Sequence, residues 1–275
     1  MKNQLKTFML LLVLTALVMF IGSLFQTTGL IIALVLVLAM NLFSYFLSDK
    51  IVLMMYHAKP ASKREYPRLH SMVEGLAGEA HIPKPKIFIV PSKIQNAFAT
   101  GRDPNHAVVA VTQGIMDELS DKELKGVLAH EISHVKNRDI LLSTIAATLA
   151  GVIMFIANMA RFTVFFGGDD RDGGNIISLL LLVILAPIAA MLIQMAISRS
   201  REYIADESGA KLVGDGEPLA SALLKLERGP KIRGGAENTA HMFIVNPFSA
   251  QGFVNLFSTH PSTSERVKKL RAMKF

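Results

Sequence analysis

His130, Glu131 and His134 belong to the motif H-E-I-S-H, whose residue types and spacing are typical of metal-dependent hydrolysis. On a helix, residues four apart lie on one face, so both histidines can bind the same Zn²⁺. Glu131 can accept a proton from water whose pKa the metal lowers from about 15.7 to about 7. The motif therefore predicts one zinc ion per chain and hydrolysis of a peptide or amide bond.

The residues before the motif predict the helix that must carry it. Ser120 can cap a helix and Glu123 lies three residues later, which is the capping-box spacing. Apolar residues then recur at helical spacing, at Leu124, Val127, Leu128, Ile132 and Val135.

The composition favours a membrane protein. The chain has 275 residues, of which 51% are hydrophobic, and it has no cysteine, so neither disulfides nor thiolate metal sites are possible. Metal ligands must then be His, Asp or Glu. The net charge of +7 comes from lysines and arginines spread through membrane-flanking segments, which favours contact with anionic lipid headgroups and excludes nucleic acid as the expected partner.

Four apolar runs are each about long enough to cross a bilayer: residues 8–25, 30–47, 140–160 and 176–198. The first could instead be a cleaved signal peptide, but no A-x-A-like site follows it and a second apolar run does. The last two runs could also form a buried helical hairpin in a soluble protein.

The charged segments predict the orientation and the domains. Most Lys and Arg lie in 48–139 and 199–275, so both segments and both termini are expected in the cytoplasm. The predicted organisation is a transmembrane hairpin (1–47), a cytoplasmic catalytic segment (48–139), a second transmembrane hairpin (140–198) and a second cytoplasmic segment (199–275).

A third zinc ligand is expected just after the fourth run. His134 lies six residues before the third run and Glu202 four residues after the fourth, so two neighbouring helices would carry them to similar heights. Asp206 shares a helix face with Glu202 and could hydrogen-bond the outer nitrogen of a ligand histidine. Glu207 is the main competing ligand.

Residues 86–90 and 107–111 read as short strands, because they are rich in β-branched and aromatic side chains. The predicted fold is therefore α+β, with a helical zinc core joined to four transmembrane helices and a small sheet beside it.

The motif H-E-I-S-H, the later S-R-S-R-E-Y-I-A-D and T-H-P-S-T-S-E-R near the end resemble the HtpX-type membrane zinc proteases, which are relatives of the CAAX prenyl proteases. The resemblance covers most of the chain. It implies a zincin-like catalytic domain in which His130, His134 and Glu202 bind zinc, Glu131 is the general base and Asp206 orients a ligand. It also implies an inner-membrane location in a prokaryote.

The resemblance also assigns roles outside the motif. The stretch containing Asn96, Ala97 and Phe98 resembles an edge strand that binds substrate, although a plain core turn is the alternative from sequence. His260 could donate to the oxyanion of the tetrahedral intermediate, supported by Arg266. Residues 227–240, rich in glycine and charge, read as a loop.

The leading hypothesis is a zinc-dependent endopeptidase at the cytoplasmic membrane face that cleaves damaged or misassembled membrane proteins, the substrates that the resemblance implies. Two alternatives remain open: an enzyme that trims prenylated tails, and a non-enzymatic membrane scaffold, which the intact Glu131 argues against. The substrate, the cleavage rule and the oligomeric state do not follow from the sequence.

Overall fold

The computed structural model of this chain describes residues 26–141, 199–229 and 261–275, with isolated positions before residue 26. The helices there are α1 (Gln26–Met55), α2 (Pro67–Ala80), α3 (Gln113–Glu118), α4 (Asp121–Lys136), α5 (Arg199–Val213), α6 (Glu217–Glu227) and α7 (Thr263–Arg271). The strands are β1 (Lys59–Pro60), β2 (Lys86–Val90), β3 (Ala97–Thr100) and β4 (Val108–Thr112).

The four strands form one mixed sheet in the order β1-β2-β4-β3. β2 and β4 are parallel, whereas β3 is antiparallel to β4, with Ala97 opposite Val111 and Thr100 opposite Val108. Among the described residues, β3 therefore occupies an edge of the sheet. The predicted strand at 86–90 has the predicted bounds, and the one predicted at 107–111 begins one residue later.

Both faces of the sheet are covered, which explains why every residue of β4 is buried. Val109 and Val111 point into the main core, which α2, α4 and α6 complete. Val108 and Ala110 point to the opposite face and pack with Val52 and Leu53 at the end of α1. The sheet thus lies between α2, α4 and α6 on one face and the end of α1 on the other.

Helix α4 begins as predicted. Ser120 and Glu123 form a reciprocal capping box, and the five apolar positions predicted from spacing are all buried. The Glu123 carboxylate also accepts hydrogen bonds from Ser221 Oγ at 2.6 Å and Lys225 Nζ at 2.8 Å, both on α6. The cap of α4 therefore also holds α6 in place.

The mixed helix and sheet architecture confirms the α+β prediction. No helix in the described part of the chain has both the length and the apolar character of a membrane span. The predicted run at 30–47 lies within α1, while the runs at 8–25, 140–160 and 176–198 fall largely or wholly outside the described residues. The four-span arrangement stays a prediction.

Candidate metal centre

Two helices that are distant in sequence, α4 and α5, pack closely and build the candidate site. Gly209 on α5 permits this approach, because a Cβ atom there would lie 2.8 Å from the backbone nitrogen of His130. His130 and His134 are on one face of α4, and Glu202 faces them from α5. The structure thus brings together the three residues predicted as metal ligands, and their role as ligands stays a prediction.

The spacing of the three side chains suits a divalent metal ion. The Nε2 atoms of His130 and His134 are 3.2 Å apart. Glu202 places Oε2 at 3.6 Å from His130 Nε2 and Oε1 at 3.7 Å from His134 Nε2. Donors bound tetrahedrally at zinc with bonds of about 2.0–2.2 Å lie about 3.3–3.6 Å from one another. The donor set and its spacing therefore fit a zinc-like ion.

Asp206 holds the outer nitrogen of His130. Its Oδ1 is 2.8 Å from His130 Nδ1. The buried Arg266 donates to the same carboxylate through Nε at 2.8 Å and Nη2 at 2.7 Å. Burial would raise the pKa of Asp206, but Arg266 and His130 lower it to about 2. Asp206 is thus an ionised acceptor that leaves Nε2 of His130 facing the other ligands.

Asp139 stands in the same relation to His134, a contact that the sequence does not predict. Its Oδ2 is 3.1 Å from His134 Nδ1, and the aspartate is buried. Burial would lower the pKa of His134, but the carboxylates of Asp139, Glu202 and Glu131 raise it to about 10. The negative charges of these carboxylates also favour a divalent cation beside the ring.

Glu131 is buried beside the two histidines and is held by the sheet. Its Oε2 accepts a hydrogen bond from the backbone N–H of Ala99 on β3, at 2.9 Å. Burial raises the pKa of Glu131, the two histidines oppose that shift, and Glu202 adds to it. A carboxylate with a raised pKa next to a metal site is suited to proton transfer.

The other predicted residues are distributed as follows. Asn96, Ala97 and Phe98 have buried side chains, and Asn96 is tied to β4 by its N–H, which donates to Thr112 Oγ1 at 2.9 Å. The role of this stretch in substrate binding stays a prediction. Arg266 pairs with Asp206, and His260 lies outside the described residues.

Glu207, the competing ligand, is excluded by its position. It is on α5 but exposed, and it accepts a hydrogen bond from Lys211. His57, His70, His81 and His106 take no part in the described metal group, and His241 falls outside the described residues.

The chain is similar to known peptidases over most of its length. The model of Peptidase family M48 matches residues 63–274. The chain is 56% identical over 272 residues to "Protease HtpX homolog" of Pyrococcus furiosus, covering 97% of this chain and 94% of the relative. It is 55% identical over 286 residues to the protein of the same name from Sulfurihydrogenibium sp., covering 99% and 97% respectively.

A solved structure agrees on the fold. The crystal structure of S. mikatae Ste24p aligns with a TM-score of 0.53 at 20% sequence identity, covering 98% of this chain and 65% of that one. The HtpX-type resemblance read from the motifs is confirmed by the curated relatives. This chain belongs to Peptidase family M48 and is an HtpX-type metalloendopeptidase.

Proposed function

We propose that this metalloendopeptidase uses one zinc ion per chain to cleave membrane proteins at the cytoplasmic face of the inner membrane of a prokaryote. Its role would be in membrane-protein quality control and the stress response. In this proposal the four apolar runs span the bilayer, both termini are cytoplasmic, and damaged or misassembled membrane proteins are the substrates. The position of Glu131 between the ligand group and β3 carries the catalytic part of the proposal.

His130, His134 and Glu202 would hold the zinc, and Asp206 would orient His130. Zinc bound there would act as a Lewis acid that polarises a peptide carbonyl and acidifies a neighbouring water. Glu131 accepts the proton of that water and delivers it to the nitrogen of the leaving amine. His260 donates to the oxyanion, and Arg266 supports this region by fixing Asp206.

The outer edge of β3 is suited to receive an extended substrate. The N–H of Ala99 points to Glu131 and not to β4. Because residues alternate along an antiparallel strand, the backbone of Ala97 faces the same way. A peptide that adds to this edge would use backbone hydrogen bonds, which tolerate varied side chains. The proposed contacts at Asn96, Ala97 and Phe98 are therefore made by the main chain.

The contact between Arg102 and α1 supports cleavage close to the membrane. The guanidinium carbon of Arg102 lies 5.4 Å from the ring centroid of Phe46, which is inside the predicted span 30–47. Arg102 is three residues after Ala99, a separation of at most about 11 Å. α1 also exposes large apolar side chains: Ile31, Leu34, Val35, Leu38, Leu42 and Phe46. Exposed apolar surfaces of this kind are typical of contact with lipid or with another protein.

The test compares one cleavable segment in two forms, in liposomes that contain the purified enzyme. In the first form the segment is joined by a short spacer to a transmembrane anchor, and in the second it is a free peptide. We expect the anchored form to be cleaved at least about tenfold faster, because anchoring raises its concentration at the site. Equal rates for the two forms would rule out a site that works at the membrane face.

Glu131→Gln is the matched inactive control. The amide keeps the size of the side chain and leaves the ligands intact, so we expect unchanged zinc content and a loss of cleavage of at least about 100-fold. Normal cleavage by this variant would remove Glu131 from the proposed mechanism.

A further inference from the structure

Each histidine of the proposed zinc site has its outer nitrogen against a buried carboxylate. His130 Nδ1 is 2.8 Å from Asp206 Oδ1, and His134 Nδ1 is 3.1 Å from Asp139 Oδ2. The side chains of the two aspartates are 5% and 4% exposed, respectively. A hydrogen bond to Nδ1 fixes the ring orientation and the tautomer, and it leaves the Nε2 lone pair available for a metal.

The backbone at the end of α4 aims Asp139 at His134. The N–H of Asp139 donates to the carbonyl oxygen of His134 at 3.2 Å, and that of Arg138 donates to the carbonyl oxygen of Val135 at 3.1 Å. This pair of bonds is the Schellman motif, in which the residue that donates the inner bond takes a left-handed conformation. Arg138 does so, with a φ of 57°. The chain therefore folds back, and a carboxylate five residues after His134 reaches its ring.

Arg201 gives the buried charge of Asp139 a cation nearby. It is itself buried, and it precedes the proposed ligand Glu202 on α5. Burial lowers the pKa of Arg201, and the charges of Asp139 and Glu202 oppose that shift. Behind His130, Arg266 forms an ion pair with Asp206 through two hydrogen bonds. A buried carboxylate is tolerated when such a partner offsets the cost of desolvation.

We propose that Asp139 is a positioning residue that fixes the His134 ring for metal binding, as Asp206 does for His130. This rests on the proposed ligand set of His130, His134 and Glu202.

The test measures zinc affinity of the full-length protein by competition with a chromogenic chelator. We expect Asp139→Ala to weaken zinc binding about 10- to 100-fold, the usual effect of removing a partner of a ligand histidine. Asp139→Asn should be affected less, because its amide oxygen still accepts a hydrogen bond from Nδ1–H. Asp117→Asn, at an exposed position on α3, is the matched control and should bind zinc as the wild type does.

Two further variants separate positioning from folding. Arg138→Gly keeps the left-handed turn, so its zinc affinity should equal that of the wild type. Asp139→Asn should lower the melting temperature of the zinc-bound protein more than that of the zinc-free protein, because the substitution acts through the metal. If Asp139→Ala binds zinc within twofold of the wild type while Glu202→Ala does not, the positioning role is wrong. If Glu202→Ala also binds normally, the proposed ligand set fails instead.

Discussion

Two glutamates on α5 show how strongly position decides the role of a single residue. Glu202 is buried and faces Nε2 of both histidines at 3.6 and 3.7 Å. Glu207, five residues later, is exposed and bonded to Lys211 within the same helix. The first carboxylate can complete a metal site, whereas the second makes a surface ion pair, which typically stabilises a helix by only about 0.3–0.5 kcal/mol.

We therefore expect Glu202→Ala to lower zinc affinity by at least about 100-fold and to abolish cleavage, because a His₂ pair lacks the third protein ligand of a catalytic zinc site. Glu207→Ala is the control and should retain both properties. Zinc content after dialysis, read alongside the cleavage rate, checks both variants. Equal zinc loss in the two variants would mean that Glu202 is not a specific ligand and that any substitution on α5 disturbs the site.

Sequence alone could predict the residues that helical spacing brings together. His130, Glu131 and His134 follow from the motif. The similar heights of two helix ends favoured Glu202 but left Glu207 open, and the family resemblance selected Glu202. Asp139 could not be predicted in this way, because residues five apart on a regular helix do not share a face. Its contact with His134 depends on the left-handed conformation of Arg138, a residue type that gives little signal for that conformation.

At the scale of elements, the site depends on the distance between α4 and α5. Gly209 sets this distance, because its missing side chain lets α5 approach the backbone of Ala129 and His130. The strand bounds were largely predictable from composition, but the edge position of β3 was not a property of its residues. It follows from the pairing order of the sheet, and only the family resemblance suggested it.

We expect Gly209→Ala to destabilise the protein by about 1–3 kcal/mol, the usual cost of overpacking, and to weaken zinc binding as α5 moves away. Gly75→Ala is the matched control. Gly75 is exposed on α2 and a Cβ atom there would meet nothing within 4 Å. This control should be neutral or more stable by about 0.5–1 kcal/mol. Calorimetry measures the stability of both variants, and a zinc titration measures their zinc affinity. If the two variants have the same stability and affinity, Gly209 does not set the distance between α4 and α5.

At the scale of the whole molecule, Glu123 joins parts of the chain on either side of residues 140–198. It accepts hydrogen bonds from Ser120 at the start of α4 and from Ser221 and Lys225 on α6. Burial would raise the pKa of Glu123, but Lys225 and the two serines lower it to about 2. No spacing rule links residue 123 to residues 221 and 225, so this contact could not be predicted from the sequence.

Because the pKa of Glu123 is lower in the folded state, its contribution to stability is present at neutral pH. It is lost as the pH falls from about 4.5 through about 2. We expect Glu123→Gln to lower the free energy of unfolding by about 1–2 kcal/mol at pH 7, because solvent screens the ion pair with the half-exposed Lys225, and the difference from wild type should shrink over that acidic range. Glu79→Gln, at an exposed position on α2, should change stability by less than about 0.5 kcal/mol. Chemical unfolding at several pH values measures the free energy of unfolding of each variant. A difference between Glu123→Gln and wild type that does not change with pH would contradict the prediction.

Because the proposed ligands are divided between α4 and α5, the metal centre cannot form early in the synthesis of the chain on the ribosome. A nascent chain that ends before residue 202 carries both histidines and Glu131 but lacks the third ligand. To bring α4 and α5 together, the chain must also close the loop formed by the long segment between them. The entropic cost of this loop closure opposes the meeting of the ligands. With the proposed ligand set, the nascent chain can complete its metal centre only after residue 202 has been made, so cleavage cannot begin while residues 140–198 are being translated.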